Sequence, residues 1–278
     1  MSRIEKKLIA NREQGRRSLT IYLNCGDPDI ETTASLIELC ARHGVDVIEL
    51  GVPFAHSFTD GEVVLHSHER ALRNDVTLKK TLQLVGRVRK STDIPIVLLA
   101  DFSFTIKPFG IQNTVAACEH HGVDGLLLHG LPPLFTEEYL ACIQVSSVDP
   151  IFSLYPNSSP GVTAKTLTNS RGFIYMVSTY GRTGAPVDFA SVGINHFYQS
   201  VRQATALPLM AGFGIKNVQD MQTIFSNSDI DGVIMGSAIS RIIEASLETP
   251  HKILKQTADY LTSLSHIRSI KRIHQAEV

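Results

Sequence analysis

Apolar residues fall into short continuous runs separated by stretches with helical spacing. The runs are Leu19–Leu23, Val45–Leu50, Ile94–Leu99, Gly125–Leu128, Pro150–Leu154, Phe173–Val177, Leu207–Ala211 and Gly232–Met235. Between them, Glu31–Ala41 carries Leu36, Ile37 and Leu39, and Leu78–Arg89 repeats Leu82, Val85 and Val88 at the spacing of one helix face. Gln112–His121, Glu137–Gln144, Asn195–Gln203 and Val218–Phe225 read the same way. Runs that are apolar on both faces are what parallel strands wrapped in helices require. About eight alternating units are the count of a closed (β/α)8 barrel. A doubly wound open sheet is the competitor, but no strand-to-helix GxGxxG marks a dinucleotide crevice.

An internal echo supports the barrel. His43-Gly44-Val45-Asp46 recurs as His121-Gly122-Val123-Asp124, and Asp46 to Gly51 has the same spacing as Asp231 to Gly236. Gly suits a helix C-cap and Asp a turn, so the echo reads as a repeated helix end, turn and strand start. No linker interrupts the pattern, and residues 1–278 are expected to form one barrel domain. The segment 1–17, with Ile4, Leu8 and Ile9 on one face, is expected as an N-terminal helix, and 264–278 as a C-terminal tail.

Composition narrows the class. The 278 residues hold 26 Lys+Arg against 27 Asp+Glu, a formal charge of −1, which argues against broad non-specific binding to nucleic acid. With 43 % hydrophobic residues, 19 Gly and 12 Pro, the chain is neither collagen-like nor disordered. Cys25, Cys40, Cys118 and Cys142 show no CxxC spacing and read as reduced thiols. The segment 1–17 mixes Glu5 and Glu13 with basic residues and does not read as a signal peptide, and no apolar run approaches the ~18 residues of a membrane span, so a cytoplasmic location is expected.

In a barrel the chemistry sits at the C-terminal ends of the strands. Three such ends are glycine-rich: Ser178-Thr179-Tyr180-Gly181-Arg182-Thr183-Gly184, Gly212-Phe213-Gly214-Ile215, and Gly236-Ser237 entering a helix. Close backbone approach and a helix N-terminus together make a phosphate site. Arg182 is either a charged donor there or a solvated loop residue. Glu49 lies inside an apolar strand, where burial would raise its pKa and suit it to proton transfer near neutrality; an ion-paired structural role is the alternative. Asp60 ends a long loop from Gly51 that could fold over the mouth and supply a second carboxylate, although Asp-Gly is also an ordinary turn. Other chemistries find no support. No strand candidate contains a Lys for a Schiff base, there is no GxSxG elbow, and His66-Ser67-His68 and His120-His121 read as exposed helix residues rather than metal ligands.

Taken in order, Gly26-Asp27-Pro28, Ile48-Glu49-Leu50-Gly51-Val52-Pro53-Phe54, Thr59-Asp60-Gly61, Gly122-Val123-Asp124, Pro156-Asn157, Tyr175, Ser178, Thr183-Gly184, Gly212-Phe213-Gly214-Ile215 and Gly236-Ser237-Ala238-Ile239 make the chain resemble the tryptophan synthase alpha subunit family along nearly its whole length. The resemblance implies a (β/α)8 barrel that cleaves indole-3-glycerol phosphate to indole and glyceraldehyde 3-phosphate. It implies Glu49 as acid/base, Asp60 on the indole N–H, Tyr175 at the reaction site, and Tyr22 and Phe213 against the substrate. Thr183, Gly184, Gly214, Gly236 and Ser237 would then bind the phosphate. It also implies no cofactor of the chain's own and a beta-chain partner, which carries pyridoxal phosphate, in an α2β2 assembly.

The departures cluster in the mouth loops. Ala55-His56-Ser57 stands for the family's Ser-Asp-Pro, and Glu62 for the Pro after Asp-Gly. Asp101-Phe102-Ser103 stands for Tyr-Xaa-Asn, Gly130 for an Asp, and Thr179 for an Arg. Without the Pro at 57 the second-strand loop is expected to be looser. Glu62 is expected either to crowd Asp60 with negative charge or to open the next helix. A barrel that binds a phosphorylated metabolite, or only activates a partner, is the alternative function.

Overall fold

The computed structural model describes residues 1–178 and 187–269. Its eight strands are β1 (Ser18–Asn24), β2 (Val47–Gly51), β3 (Ile96–Asp101), β4 (Gly125–His129), β5 (Asp149–Leu154), β6 (Ile174–Val177), β7 (Leu209–Gly212) and β8 (Gly232–Met235). Each pairs in parallel with the next, and β8 returns to β1, closing the barrel expected from the pattern. Every residue of β1, β2, β6, β7 and β8 is buried, as two-sided packing demands.

Alternation along the strands divides the core in two. Leu19, Ile21, Ile48, Leu50 and Leu98 pack outward against the helices. Val47, Val97, Leu127, Ile151, Phe173, Tyr175, Met210 and Ile234 fill the interior. Ile4 and Leu8, both fully buried, join that interior set, so the helix Arg3–Glu13 packs its apolar face against the residues inside the barrel. Ile9 is only partly buried.

The repeated Asp has a common role at the strand starts. Asp46, Asp124 and Asp231 each stand just before an even-numbered strand and accept an N–H from the first or second residue of the strand before it. The pairs are Leu19 at 2.9 Å, Ile96 at 2.8 Å and Leu209 at 2.8 Å. Arg268, Arg89 and Arg202 respectively offset the buried charge. Arg268 comes from the turn Ser265–Ser269 that follows the helix Ile253–Leu264, so this end of the described chain is tied to the start of β2.

Three strand starts lie two residues later than the apolar runs suggest. Val45 N–H closes the helix Ile30–Arg42 on Cys40 C=O, while the Ile94 and Leu207 N–H groups bond the hydroxyls of Thr92 and Thr205. Those amides are used in turns before the ladder begins. The helices Glu62–Arg73 and Pro160–Asn169 add to those read from periodicity. Among the described residues, no helix is long and apolar enough to cross a membrane.

Candidate active site

Glu49 sits two residues after the interior Val47 on β2, so period-two alternation turns its carboxyl inward. It is only 4 % exposed. Loss of hydration raises its pKa to about 8, with the negative charge of Asp60 adding to the rise. At neutral pH this carboxyl is mostly protonated.

Asp60 is placed by the helix that follows it. Glu62–Arg73 buries Val64, Ser67, His68 and Ala71, the three- and four-residue spacing of one face. His68 is therefore on the buried side, correcting the expectation of an exposed residue. Its Nδ1 accepts the Phe54 N–H at 3.3 Å, which leaves Nε2 as the donor to Asp60 Oδ2 at 3.3 Å. Ser57 Oγ donates to the same oxygen at 2.7 Å. A side-chain bond thus ties the loop where the family's Pro would stiffen it. Glu62 opens the helix as an exposed first-turn carboxylate, a favourable place next to the helix dipole. His66, half-buried, bonds Glu244 at 2.7 Å.

Tyr22 pairs with Glu49 in the β1–β2 register. Its ring lies over Gly51, and the ring of Tyr175 lies over Gly212; a Cβ at either glycine would strike the ring. Burial pushes both phenols well above their usual pKa, with Glu49 and Asp60 adding to the effect, so both act as neutral hydroxyls. Tyr175 meets Phe213 edge to face at 6.3 Å.

The part of the rim between these two tyrosines, at β7 and β8, is built from backbone. Phe213 has φ 68° and Gly214 φ 81°, a left-handed turn that costs a non-glycine residue about 1–3 kcal/mol and signals a functional constraint. Gly236 precedes the helix Ser237–Ala245, which has no side-chain cap bond among the described residues. The first-turn N–H groups of such a helix start, with its partial positive charge, are available to an anion.

One cavity of about 1080 Å³ gathers Tyr22, Glu49, Asp60, Tyr175, Phe213, Gly214, Gly236 and Ser237. Of the candidate residues, Thr183 and Gly184, with Arg182, lie outside the described residues. Ser178 is sealed below the rim, sharing hydrogen bonds with Tyr198 Oη at 2.7 Å and Gly212 C=O at 2.9 Å. Asp27 is held by Arg70 through two bonds of 2.7 and 3.0 Å. Thr59, His68 and His129 line the cavity as well; Thr59 and His129 fall in strand-end segments where a barrel puts its chemistry, but sequence reading gave none of the three a role. Two-residue alternation from Leu127 would have turned His129 inward, and helical spacing from Val64 would have buried His68.

A family profile described as tryptophan synthase alpha chain matches residues 8–268. The tryptophan synthase alpha chain of Geobacter sulfurreducens is 37 % identical over 265 residues, 95 % of this chain and 98 % of that one. The alpha chain of Geotalea daltonii is 39 % identical over 246 residues, covering 88 % and 91 %. Among solved structures, tryptophan synthase subunit alpha from Legionella pneumophila superposes with a TM-score of 0.87 at 27 % identity, over 96 % of this chain and 98 % of that one. Sequence and fold agree: the chain belongs to the tryptophan synthase alpha chain family, the indole-3-glycerol-phosphate lyases of tryptophan biosynthesis.

Proposed function

We propose that this chain carries out the family's retro-aldol step with Glu49, Asp60 and the glycine-rich rim in the roles their surroundings favour. The phosphate of indole-3-glycerol phosphate lies against the Gly214, Gly236 and Ser237 backbone, with Thr183 and Gly184 completing the cradle. Neutral Glu49 gives its proton to the ring carbon that bears the glycerol side chain, and the ring becomes a cationic indolenine. Asp60, held by Ser57 and His68, accepts the indole N–H and offsets that positive charge. The Glu49 carboxylate then takes the proton of the adjacent glycerol hydroxyl as the carbon–carbon bond breaks. Indole and glyceraldehyde 3-phosphate leave, and Glu49 is again protonated. Tyr175 and Tyr22 hold the substrate without ionising, and Phe213 packs on it.

The observation that carries this reading is a buried carboxyl with a pKa of about 8 sharing one cavity with a second, hydrogen-bonded carboxylate and a helix start that no side chain caps among the described residues. A site that only bound a phosphorylated metabolite would gain nothing from burying Glu49. The test is steady-state release of indole from indole-3-glycerol phosphate by the native chain and by Glu49→Gln.

Family membership implies a beta-chain partner. We place that partner on the mouth side, where Phe58 and Leu134 are more than four-fifths exposed on the loops after β2 and β4. The assembly would be α2β2, with pyridoxal phosphate held only by the beta chain, and cytoplasmic. Copurification with a beta chain and sedimentation of the complex test the assembly.

A further inference from the structure

At about 1080 Å³ the cavity exceeds the roughly 300–1,000 Å³ of ordinary small-molecule sites, and part of it lies outside the barrel wall. The β4–β5 ladder stops at Leu127 and Ile151. Past that point Leu128 and His129 pair with Ala100 and Asp101 of β3, whereas Phe152 and Ser153 pair with Ile174 and Tyr175 of β6. The two strands therefore part toward the mouth. Residues from both faces of the sheet line the cavity there. Leu127 and Ile151 belong to the barrel interior, while Leu128 and Phe152 pack with the core outside it. The cavity thus continues past the parted strand ends into a lobe behind the wall.

Two helices bound this lobe, Thr136–Ile143 after β4 and Pro160–Asn169 after β5. Leu140 of the first lines it, as do Val162, Thr166 and Asn169 of the second. Positions 162, 166 and 169 share one helix face, so that face borders the cavity. The floor is apolar, made of Leu128 and of Phe152, whose ring meets Tyr139 edge to face at 5.9 Å. Glu137 and Lys165 line the cavity as exposed residues, which places their charges at its outer rim. Asn169 spends an amide N–H on the Lys165 carbonyl at 2.8 Å. Thr166 differs. It is only 9 % exposed, and its hydroxyl has no hydrogen-bond partner among the described residues. Thr81 and Thr114, also buried in helices, donate instead to the carbonyl four residues back, at 3.0 and 2.8 Å. Nor is the Thr166 hydroxyl sealed from open space as the partnerless Thr257 hydroxyl is.

We propose that the lobe between these helices is a second site for indole, holding the free product beside the reaction centre. An apolar bicyclic ring matches the walls made by Leu128, Leu140 and Phe152, and its single N–H is the donor that the Thr166 hydroxyl accepts. The phosphorylated product has its anion site at β7–β8 instead, on backbone groups the lobe does not share. Indole held behind the wall leaves Glu49 and Asp60 clear for the next substrate. The identity of the occupant rests on the lyase reading; the lobe itself rests on the parted strands and the unspent hydroxyl.

The experiment is a calorimetric titration of indole into the full chain after its catalytic site is saturated with indole-3-propyl phosphate, an analogue without the hydroxyl whose proton the cleavage needs. One indole per chain should still bind. Val162→Trp, at a half-exposed position, fills the lobe and should weaken that binding by about tenfold or more. Thr166→Val, of the same shape without the hydroxyl, should weaken it by about three- to tenfold. Both variants should keep kcat/KM for indole-3-glycerol phosphate within about twofold of native. In crystals soaked with 5-bromoindole, the bromine should appear between the two helices. The inference is overturned if the analogue abolishes indole binding, if the bromine lies only inside the barrel, or if Val162→Trp leaves indole affinity native. It is overturned too if the variants lose kcat/KM in step with indole affinity, because the lobe would then belong to the substrate site. A chain that binds no analogue and releases no indole overturns the lyase reading instead. The bromine position still decides the lobe in that case, since it needs no turnover.

Discussion

Glu49 is the residue at which burial, charge and chemistry meet. Its carboxyl titrates near 8 in the fold against an ordinary value of 4.5. The folded chain therefore holds a proton that the unfolded chain has lost between those values. Stability falls as pH rises through that window, by at most about 1.4 kcal/mol per pH unit, and the full cost is present above it. Glu49→Gln removes the slope, so denaturation midpoints should show the variant gaining on the native chain as the medium goes from mildly acid to alkaline. The same substitution should lower indole release by at least ~10²-fold while glycerol phosphate affinity stays near native. Native turnover should decline above about pH 8, as Glu49 loses the proton it donates first. Near-native turnover in the variant would remove Glu49 from the mechanism. Asp60→Asn should also slow release, because a neutral amide cannot offset a cationic ring. Ser237→Asp should weaken glycerol phosphate binding by like-charge repulsion at the helix start, read by titration calorimetry on a variant with native melting.

At the scale of elements, the two ends of the barrel divide the work. The strand-start end is fastened by the Asp clasps, and each Asp is buried with an Arg partner. Asp231→Ala removes the buried carboxylate that pairs with Arg202 at 2.8 Å and accepts the Leu209 N–H. It should cost about 3–5 kcal/mol in thermal or denaturant unfolding. The KM of the surviving folded enzyme should be unchanged, since none of these groups lines the cavity; a raised KM would show the two ends to be coupled. The mouth end instead carries strained and open features, Phe213 and Gly214 in the left-handed region among them. The helix Glu62–Arg73 connects the site to its neighbours, carrying His68 toward Asp60, Arg70 toward Asp27 and His66 toward Glu244 on the helix after β8.

For the whole molecule, the decisive surface is the loop rim above the cavity. Phe58 is 81 % and Leu134 85 % exposed, and Phe54 and Phe104, on the loops after β2 and β3, stack at 5.9 Å. Apolar groups left in water at the mouth are what a partner covering the site would bury. Adding a beta chain should raise indole release above that of the isolated chain, because covering the mouth orders the second-strand loop and excludes water. Phe58→Asp should shift the titration midpoint to higher beta-chain concentration by about tenfold or more without moving the activity of the isolated chain. An unshifted midpoint would place the partner elsewhere.

The sequence by itself determined an alternation of covered strands and helices, because about eight short runs apolar on both faces, spaced by helical patterns, suit a parallel sheet buried on both sides. Closure of that sheet into a ring was decided by the tertiary structure. The sequence also determined the inward Glu49, since a carboxylate within such a run is visible as a chemical anomaly. The order of glycine-rich strand ends was legible for the same local reason. Tertiary structure alone decided which polar groups meet. Asp60 and His68 are eight residues apart, but the bond between them depends on how one helix docks against the mouth. Asp101 and His129 come from different strands, and only the β3–β4 register makes them neighbours. The recurring Asp was legible as a turn residue, yet its Arg partners come from distant segments and its role as a clasp required the closed ring. Local pattern reports what each residue does to its own few neighbours; contacts between segments are set by packing, which sums over the whole chain.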